Sequence, residues 1–132
     1  MYLVDTSVWI KHFSKKDPFN LKKTCLPEER ILCLPVYQEI LQGIKSENIF
    51  REVQDILDSA IFIENPLAQS IFLEAAGLYR LARKNGLTIR SSVDCLIAAC
   101  AIKNNITVLH HDRDFSLLST ISMLDEKNTF HE

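Results

Sequence analysis

The sequence predicts a three-layer α/β domain, a central parallel sheet of four or five strands flanked by helices. Short, almost wholly apolar runs recur at residues 2–4, 31–34, 61–63 and 106–109. Between them lie longer stretches with the helical spacing of apolar residues. Strands that are apolar on both faces and separated by helices belong to parallel sheets covered on both sides. The 132 residues read as one domain over 1–132, large enough for one core and too short for two.

Tyr2-Leu3-Val4 is a strand that stops at Asp5, and Thr6 or Ser7 then caps a helix to about residue 13. Residues 14–18 read as a loop and 20–26 as a helix stopped by Pro27. The second strand, 31–34, ends at Pro35, a residue favoured in the first helical turn, and 36–44 continues as a helix. In 47–58, Ile49, Phe50, Val53, Ile56 and Leu57 recur at the helical period, and 61–63 is the third strand. Pro66 is expected to open a long helix to residue 84, with Ile71, Phe72, Ala75, Leu78, Leu81 and Ala82 on one face. Asn85-Gly86 is its stop signal. A helix over 91–103, a fourth strand over 106–109, a short helix over 115–118 and an edge strand near Leu124 complete the prediction.

Composition is that of a soluble globular chain, 47% hydrophobic and 24% charged. The N-terminus lacks the pattern of a signal peptide, and the longest apolar run, 95–102, is far short of the roughly 20 residues that span a bilayer. A cytoplasmic protein is expected. Cys25, Cys33, Cys95 and Cys100 show no zinc-ligand spacing and read as reduced core residues. The net charge of −2 counts against binding nucleic acid through phosphates alone. It counts less if several acids are committed to cations.

The acids carry the chemistry. Taken singly, each has an ordinary use: Asp5 as a helix N-cap, Glu39 as a solvated helix residue, Asp94 in a Ser91-Ser-Val-Asp94 capping box, Asp112 and Asp114 as turn and cap residues. Taken together, Asp5, Glu39 and Asp112 each follow a strand, and Asp94 opens the helix that leads into the fourth. In a parallel sheet these places share the C-terminal rim, where α/β folds bind ligands. Two unit charges about 4 Å apart repel by roughly 4 kcal/mol at an effective dielectric of 20. Such a cluster protonates in part or holds a cation, and oxygen-only ligands select Mg²⁺ or Mn²⁺. Carboxylate-bound Mg²⁺ is a means of hydrolysing phosphodiesters.

Four segments carry a family resemblance: Leu3-Val-Asp5-Thr-Ser-Val-Trp-Ile10, Pro35-Val-Tyr-Gln-Glu39-Ile-Leu-Gln-Gly43, Ser92-Val-Asp94-Cys-Leu-Ile-Ala-Ala99 and Val108-Leu-His-His-Asp112-Arg-Asp114-Phe115. In this order and at these separations the chain resembles PIN domains, particularly the VapC-type toxins. The resemblance implies a PIN-like fold and a Mg²⁺-dependent endoribonuclease, Mn²⁺ being an alternative ion. The enzyme would cleave single-stranded RNA to leave a 5′-phosphate and a 3′-hydroxyl. It implies an antitoxin protein as inhibitor and a homodimer. It makes Asp5, Glu39, Asp94 and Asp112 the catalytic and metal-binding acids, with Asp5 and Asp94 as direct ligands. Glu39 and Asp112 would hold a second ion or orient the attacking water. Thr6 and Ser7 would support the metal waters, and Asp114 would cap the last helix. Where many relatives have a hydroxyl residue this chain has His110, followed by His111. The pair is either a partly buried strand end or a contact to the scissile group.

Lys11, Lys15, Lys16, Arg90 and Arg113 lie near the acids in sequence and are candidates for steering phosphate. They are equally well solvated helix charges. Trp9, Phe13 and the stripe of Ile49, Phe50 and Val53 are either core or the lining of a groove for an antitoxin helix. A receiver-like signalling module is the rival from another class. It needs paired acids after the first strand and an acceptor Asp after the third, and the chain has Asp5 alone and Ile63-Glu64-Asn65. A phosphatase with an Asp-x-Asp nucleophile fails at Asp5-Thr6-Ser7, and a silent PIN scaffold is the remaining alternative.

Overall fold

The computed structural model describes residues 1–14 and 19–129. Lys15 and Lys16, named above as phosphate-steering candidates, lie outside the described residues. Five strands form one sheet: β1 (Tyr2–Val4), β2 (Arg30–Leu32), β3 (Ile61–Phe62), β4 (Thr107–His110) and β5 (Glu126–Asn128). Every pairing is parallel and the order is β3-β2-β1-β4-β5. The helices are α1 (Thr6–Phe13), α2 (Leu21–Thr24), α3 (Leu34–Gln42), α4 (Glu47–Asp58), α5 (Gln69–Lys84), α6 (Ser92–Asn104) and α7 (Arg113–Ser119).

The strand order decides where a site forms. From β1 the chain moves outward through β2 to β3, then returns across the sheet to β4 and continues to β5 on the other side. Right-handed crossovers then place α1 to α4 on one face and α5 to α7 on the other. The helix packing largely agrees: α1 meets α3 and α3 meets α4, while α5 meets α6 and both meet α7; α3 also meets α6. The direction of winding reverses between β1 and β4. At such a point the connections diverge and leave a crevice beyond the C-terminal strand ends.

Strand and helix types follow the sequence prediction, but several boundaries differ: the 20–26 helix is only Leu21–Thr24, Pro27 opens a 3-10 turn (Pro27–Glu29), and α7 starts at Arg113. Leu34 is in α3 and not in β2, because Cys33, with extended backbone (φ −121°, ψ 159°), is the N-cap and sets Pro35 in the first turn. The long helix α5 begins at Gln69 and not at Pro66, since Ala68 is still extended (φ −82°, ψ 153°). Its buried stripe is narrower than the apolar pattern suggests. Ile71, Ala75 and Ala82 are buried, whereas Phe72 and Leu81 are exposed and only Leu78 is partly covered. The edge strand β5 comes just after Leu124, which is itself buried in the preceding loop.

Helix α6 is the central packing element. Cys95, Ile97, Ala98, Ala99, Cys100 and Ala101 are all buried, so almost its whole circumference is core. Small side chains let α6 lie close to both the sheet and α5. Its first turn is thereby carried to the sheet's rim. The four cysteines are buried and in no disulfide, as expected for core thiols. No helix among the described residues is long and apolar enough to cross a membrane.

Leu109 in β4 is fully buried and Leu73 on α5 is 74% exposed. Leu109→Ala is expected to destabilise the chain by about 2–5 kcal/mol, and Leu73→Ala by less than about 0.5 kcal/mol. Urea unfolding followed by circular dichroism checks both.

Candidate metal centre

The crevice between β1 and β4 is lined by carboxylates. Val4 and Leu109 are paired in register, and Asp5 N–H donates to the Leu109 carbonyl at 2.9 Å, so Asp5 sits where the two strands end. Asp112 follows β4 and caps α7, and Asp114 lies in the first turn of that helix. Asp94 lies in the first turn of α6. Asp94, Asp112 and Asp114 each offer an oxygen, all within 4.8 Å of one another. Glu39, on the second turn of α3, faces the same crevice and accepts a hydrogen bond from Thr6 Oγ1 at 2.9 Å.

Hydrogen bonds from the backbone and from the Ser7 hydroxyl hold three of these acids. Asp5 is the N-cap of α1, and its Oδ2 accepts from both the Ser7 backbone N–H and the Ser7 hydroxyl. Ser7 Oγ in turn accepts from the His111 backbone N–H at 3.0 Å, which ties the β1 end to the β4 end. Asp112 Oδ1 accepts from the Asp114 N–H at 3.0 Å. Asp114 Oδ2 accepts from the backbone N–H groups of Arg90 and Ser91, at 3.0 and 3.2 Å, and so pins the start of α6. His110 is fully buried; its Nδ1 accepts from the Asp112 N–H at 3.1 Å and its Nε2 faces Glu126 Oε2 at 3.3 Å.

Two oxygens in this cluster are buried without a hydrogen-bond partner among the described residues, Asp94 Oδ2 and Asp114 Oδ1. Burial raises the Asp94 carboxyl well above its ordinary range, and the charges of Asp5, Asp112 and Asp114 push it further. Burial raises Asp5 to about 6 despite the opposing Ser7 hydrogen bonds, with Glu39 adding repulsion. Unpaired buried carboxylate oxygens cost several times a lost surface contact. A proton or a hard cation is what such an oxygen set accepts. The residues therefore fit a divalent ion by the chemistry of their donors.

The structure brings together Asp5, Asp94, Asp112 and Asp114 and sets Glu39, Thr6 and Ser7 beside them. Two expectations need correction. Asp114 does not cap the last helix. The N-cap must precede the helix with extended backbone, and Asp112 does so (φ −141°, ψ 130°), which places Asp114 inside the helix and inside the acid cluster. The capping box of α6 does not form either. The Ser91 side chain makes no cap bond and its N–H goes to Asp114, so Asp94 is directed into the crevice. The Asp-x-Asp spacing at a helix start was the available signal, because an N-cap and the residue two later share the rim. Glu126 was missed, since nothing in its sequence context joins it to His110.

The basic candidates divide. Arg90 Nη2 lies 3.9 Å from Asp112 Oδ1, with most of its side chain in solvent. Arg113, beside Asp112, is exposed, and Lys11 lies in the last turn of α1, away from the Asp5 end. Trp9 is core, stacked on Phe13, with the Arg30 guanidinium 5.7 Å from its ring centroid. Beside Glu39, a cleft of about 370 Å³ is lined by Ile10, Phe13, Ile44, Ile49 and Val53.

Comparison with known proteins agrees with this architecture. The family model of the PIN domain matches residues 2–120. Ribonuclease VapC11 of Mycobacterium tuberculosis is 34% identical over 131 residues, covering 94% of this chain and 96% of that protein. Among solved structures, FitAcB from Neisseria gonorrhoeae superposes with a TM-score of 0.73 at 19% identity over the full length of both chains. VapBC2 from Rickettsia felis, solved bound to a fragment of its promoter DNA, gives 0.73 at 22% identity over 96% of this chain and 97% of that one. The chain belongs to the PIN-domain family and, within it, to the VapC-type proteins.

Proposed function

We propose that the chain is a Mg²⁺-dependent endoribonuclease, the toxin of a toxin–antitoxin pair, acting on single-stranded RNA. The observation that carries this reading is the set of three carboxylates, Asp94 and Asp114 buried and Asp112 half-buried, within 4.8 Å of one another at the β1/β4 crevice, two of their oxygens lacking a partner among the described residues. Asp94, Asp112 and Asp114 would hold the ion, with Asp5 completing the oxygen set. Mn²⁺ offers the same hardness and serves as a substitute. A divalent ion there supplies Lewis-acid chemistry, drawing charge from phosphate oxygens and making nearby water more acidic. Similarity to proteins named as VapC ribonucleases supports the same activity.

The chain's own residues supply positioning. Thr6 engages one Glu39 oxygen, which leaves the other as acceptor for the water that attacks phosphorus. That water adds to phosphorus as the P–O3′ bond breaks, giving a 5′-phosphate and a 3′-hydroxyl. Ser7, itself held by the His111 N–H, fixes Asp5. Arg90 at the rim, with Arg113 beside it, offers positive charge to incoming phosphate and offsets the acidic interior.

The apolar cleft beside Glu39 suits an amphipathic helix of an antitoxin, with Ile10 and Ile49 half exposed on its walls. An antitoxin seated there would end beside the acids. The exposed Phe72, Leu73 and Tyr79 of α5 support a homodimer through that helix. Four reduced cysteines fit the cytoplasm, to which we assign the protein.

Asp94→Asn tests the site directly. It should lower RNA cleavage by more than about 100-fold. It should also abolish the rise in Tm that millimolar Mg²⁺ gives the wild type, while leaving the chelated protein as stable or more so. Cleavage that survives the substitution assigns the activity elsewhere, and a retained Mg²⁺ response moves the ion.

The pH dependence follows from the raised carboxyls. Asp5, at about 6 in the folded chain against 3.8 unfolded, binds its proton more tightly when folded, as does Asp94. Their contribution to stability is present at low pH and lost as pH rises through about 6 and above. Chelated protein should therefore lose Tm from about pH 5 to pH 8. The gain from Mg²⁺ should grow over the same interval, because metal displaces these protons. A Mg²⁺ effect that does not change with pH contradicts this site.

A further inference from the structure

We propose that His110 is a positioning residue for Asp112, its Nδ1 holding the Asp112 backbone while Glu126 on β5 holds the ring through Nε2. The inference rests on the metal reading above and extends it to groups outside the acid cluster.

A neutral imidazole has one donor nitrogen and one acceptor. The Asp112 N–H lies 3.1 Å from Nδ1 and requires an acceptor there, which puts the ring proton on Nε2. Nε2 faces Glu126 Oε2 at 3.3 Å, an oxygen able to accept that proton. Both ring nitrogens are thus committed. The ring is fully buried and packs against Phe115, with centroids 5.1 Å apart and planes tilted by 46°, so it has no free rotation. Glu126 is anchored in turn by strand pairing, since β5 runs in register beside β4.

What the ring holds is the turn between β4 and α7. Asp112 leaves the strand in extended conformation, caps α7 through Oδ1 and offers a carboxylate oxygen to the cluster with Asp94 and Asp114. A shift of its backbone would move that oxygen against the cluster. Groups that orient a ligand from behind typically change metal affinity by about 10–100-fold when removed. The edge strand β5, which contributes no acid to the cluster, is thereby connected to it by two hydrogen bonds in series. A ring that merely filled space beneath Phe115 would be replaceable by any residue of similar size.

The test compares His110→Phe, which keeps bulk and loses both nitrogens, with His110→Asn, whose Oδ1 can take the place of Nδ1. The readout is the Mg²⁺ concentration giving half the maximal rise in Tm, with no RNA present. His110→Phe should need at least about tenfold more Mg²⁺ than wild type, and His110→Asn should recover most of that loss. Glu126→Gln, which retains an acceptor for Nε2–H, should stay near wild type, and Glu126→Leu should shift toward His110→Phe. In the unmutated protein, ¹⁵N spectra of the imidazole should show the proton on Nε2. A proton on Nδ1 overturns the inference, as does a His110→Phe protein with wild-type Mg²⁺ dependence, or an Asn variant no better than Phe. The spectra decide even if His110→Phe does not fold. A wild-type chain that ignores Mg²⁺ overturns the metal reading and this inference with it, whereas a wild-type response shared by His110→Phe overturns this inference alone.

Discussion

Like charges buried together are the arrangement on which this molecule turns. Asp5 and Asp94 are buried beside the partly exposed Asp112, and the charges of Asp5 and Asp112 add to the cost that burial already sets on ionising Asp94. A hydrophobic core gains nothing from carboxylates in such numbers, and two of their oxygens have no partner among the described residues. The fold nevertheless holds them, because each sits at the first turn of a helix or the end of a strand whose own packing is secure. The stability of the sheet and of α6 carries an assembly that would not form on its own merits.

How the acids are held is as specific as where they lie. Four of the acids are fixed by donors, Asp5 by Ser7, Glu39 by Thr6, Asp112 by the Asp114 N–H and Asp114 by two backbone N–H groups before α6, while Asp94 is placed by the packing of its helix. In Asp5, Glu39, Asp112 and Asp114 these bonds engage one carboxylate oxygen apiece. The bonds cross between elements, from β4 to α1 through His111 and Ser7, and from α7 to α6 through Asp114. These bonds add to the sheet pairing and apolar packing that hold the elements in the relative positions the site requires. The same side chains that collect charge also join the helices around it.

Much of this was legible before any coordinates. Asp5, Asp94 and Asp112 were placed on one rim by three local facts: apolar runs that stop at an acid, a helix start before the fourth strand, and the parallel direction those runs imply. The order of the strands was not legible. Nothing in the apolar run at 61–63 says that it pairs outside β2, so the switch point between β1 and β4 emerges only from the fold. Asp114 was misjudged because a cap and a residue two positions later share a sequence context, and only backbone dihedrals separate them. Ser91-Ser-Val-Asp94 misled for a related reason. A capping box is a local solution, and here Asp114, distant in sequence, took the Ser91 N–H instead. Phe72 and Leu81 fit the helical period of α5 but face solvent, since period alone gives no width for the covered stripe. Long-range pairs such as His110 with Glu126 leave no mark in single-sequence patterns at all.

The most direct measurement is the anomalous scattering of Mn²⁺ in crystals of the wild-type chain grown with the ion. The account predicts a strong peak in the β1/β4 crevice, about 2.0–2.3 Å from carboxylate oxygens of Asp94 and at least one of Asp5, Asp112 and Asp114. A crevice without a peak at millimolar Mn²⁺, its acids paired with basic side chains or sharing protons, would contradict it.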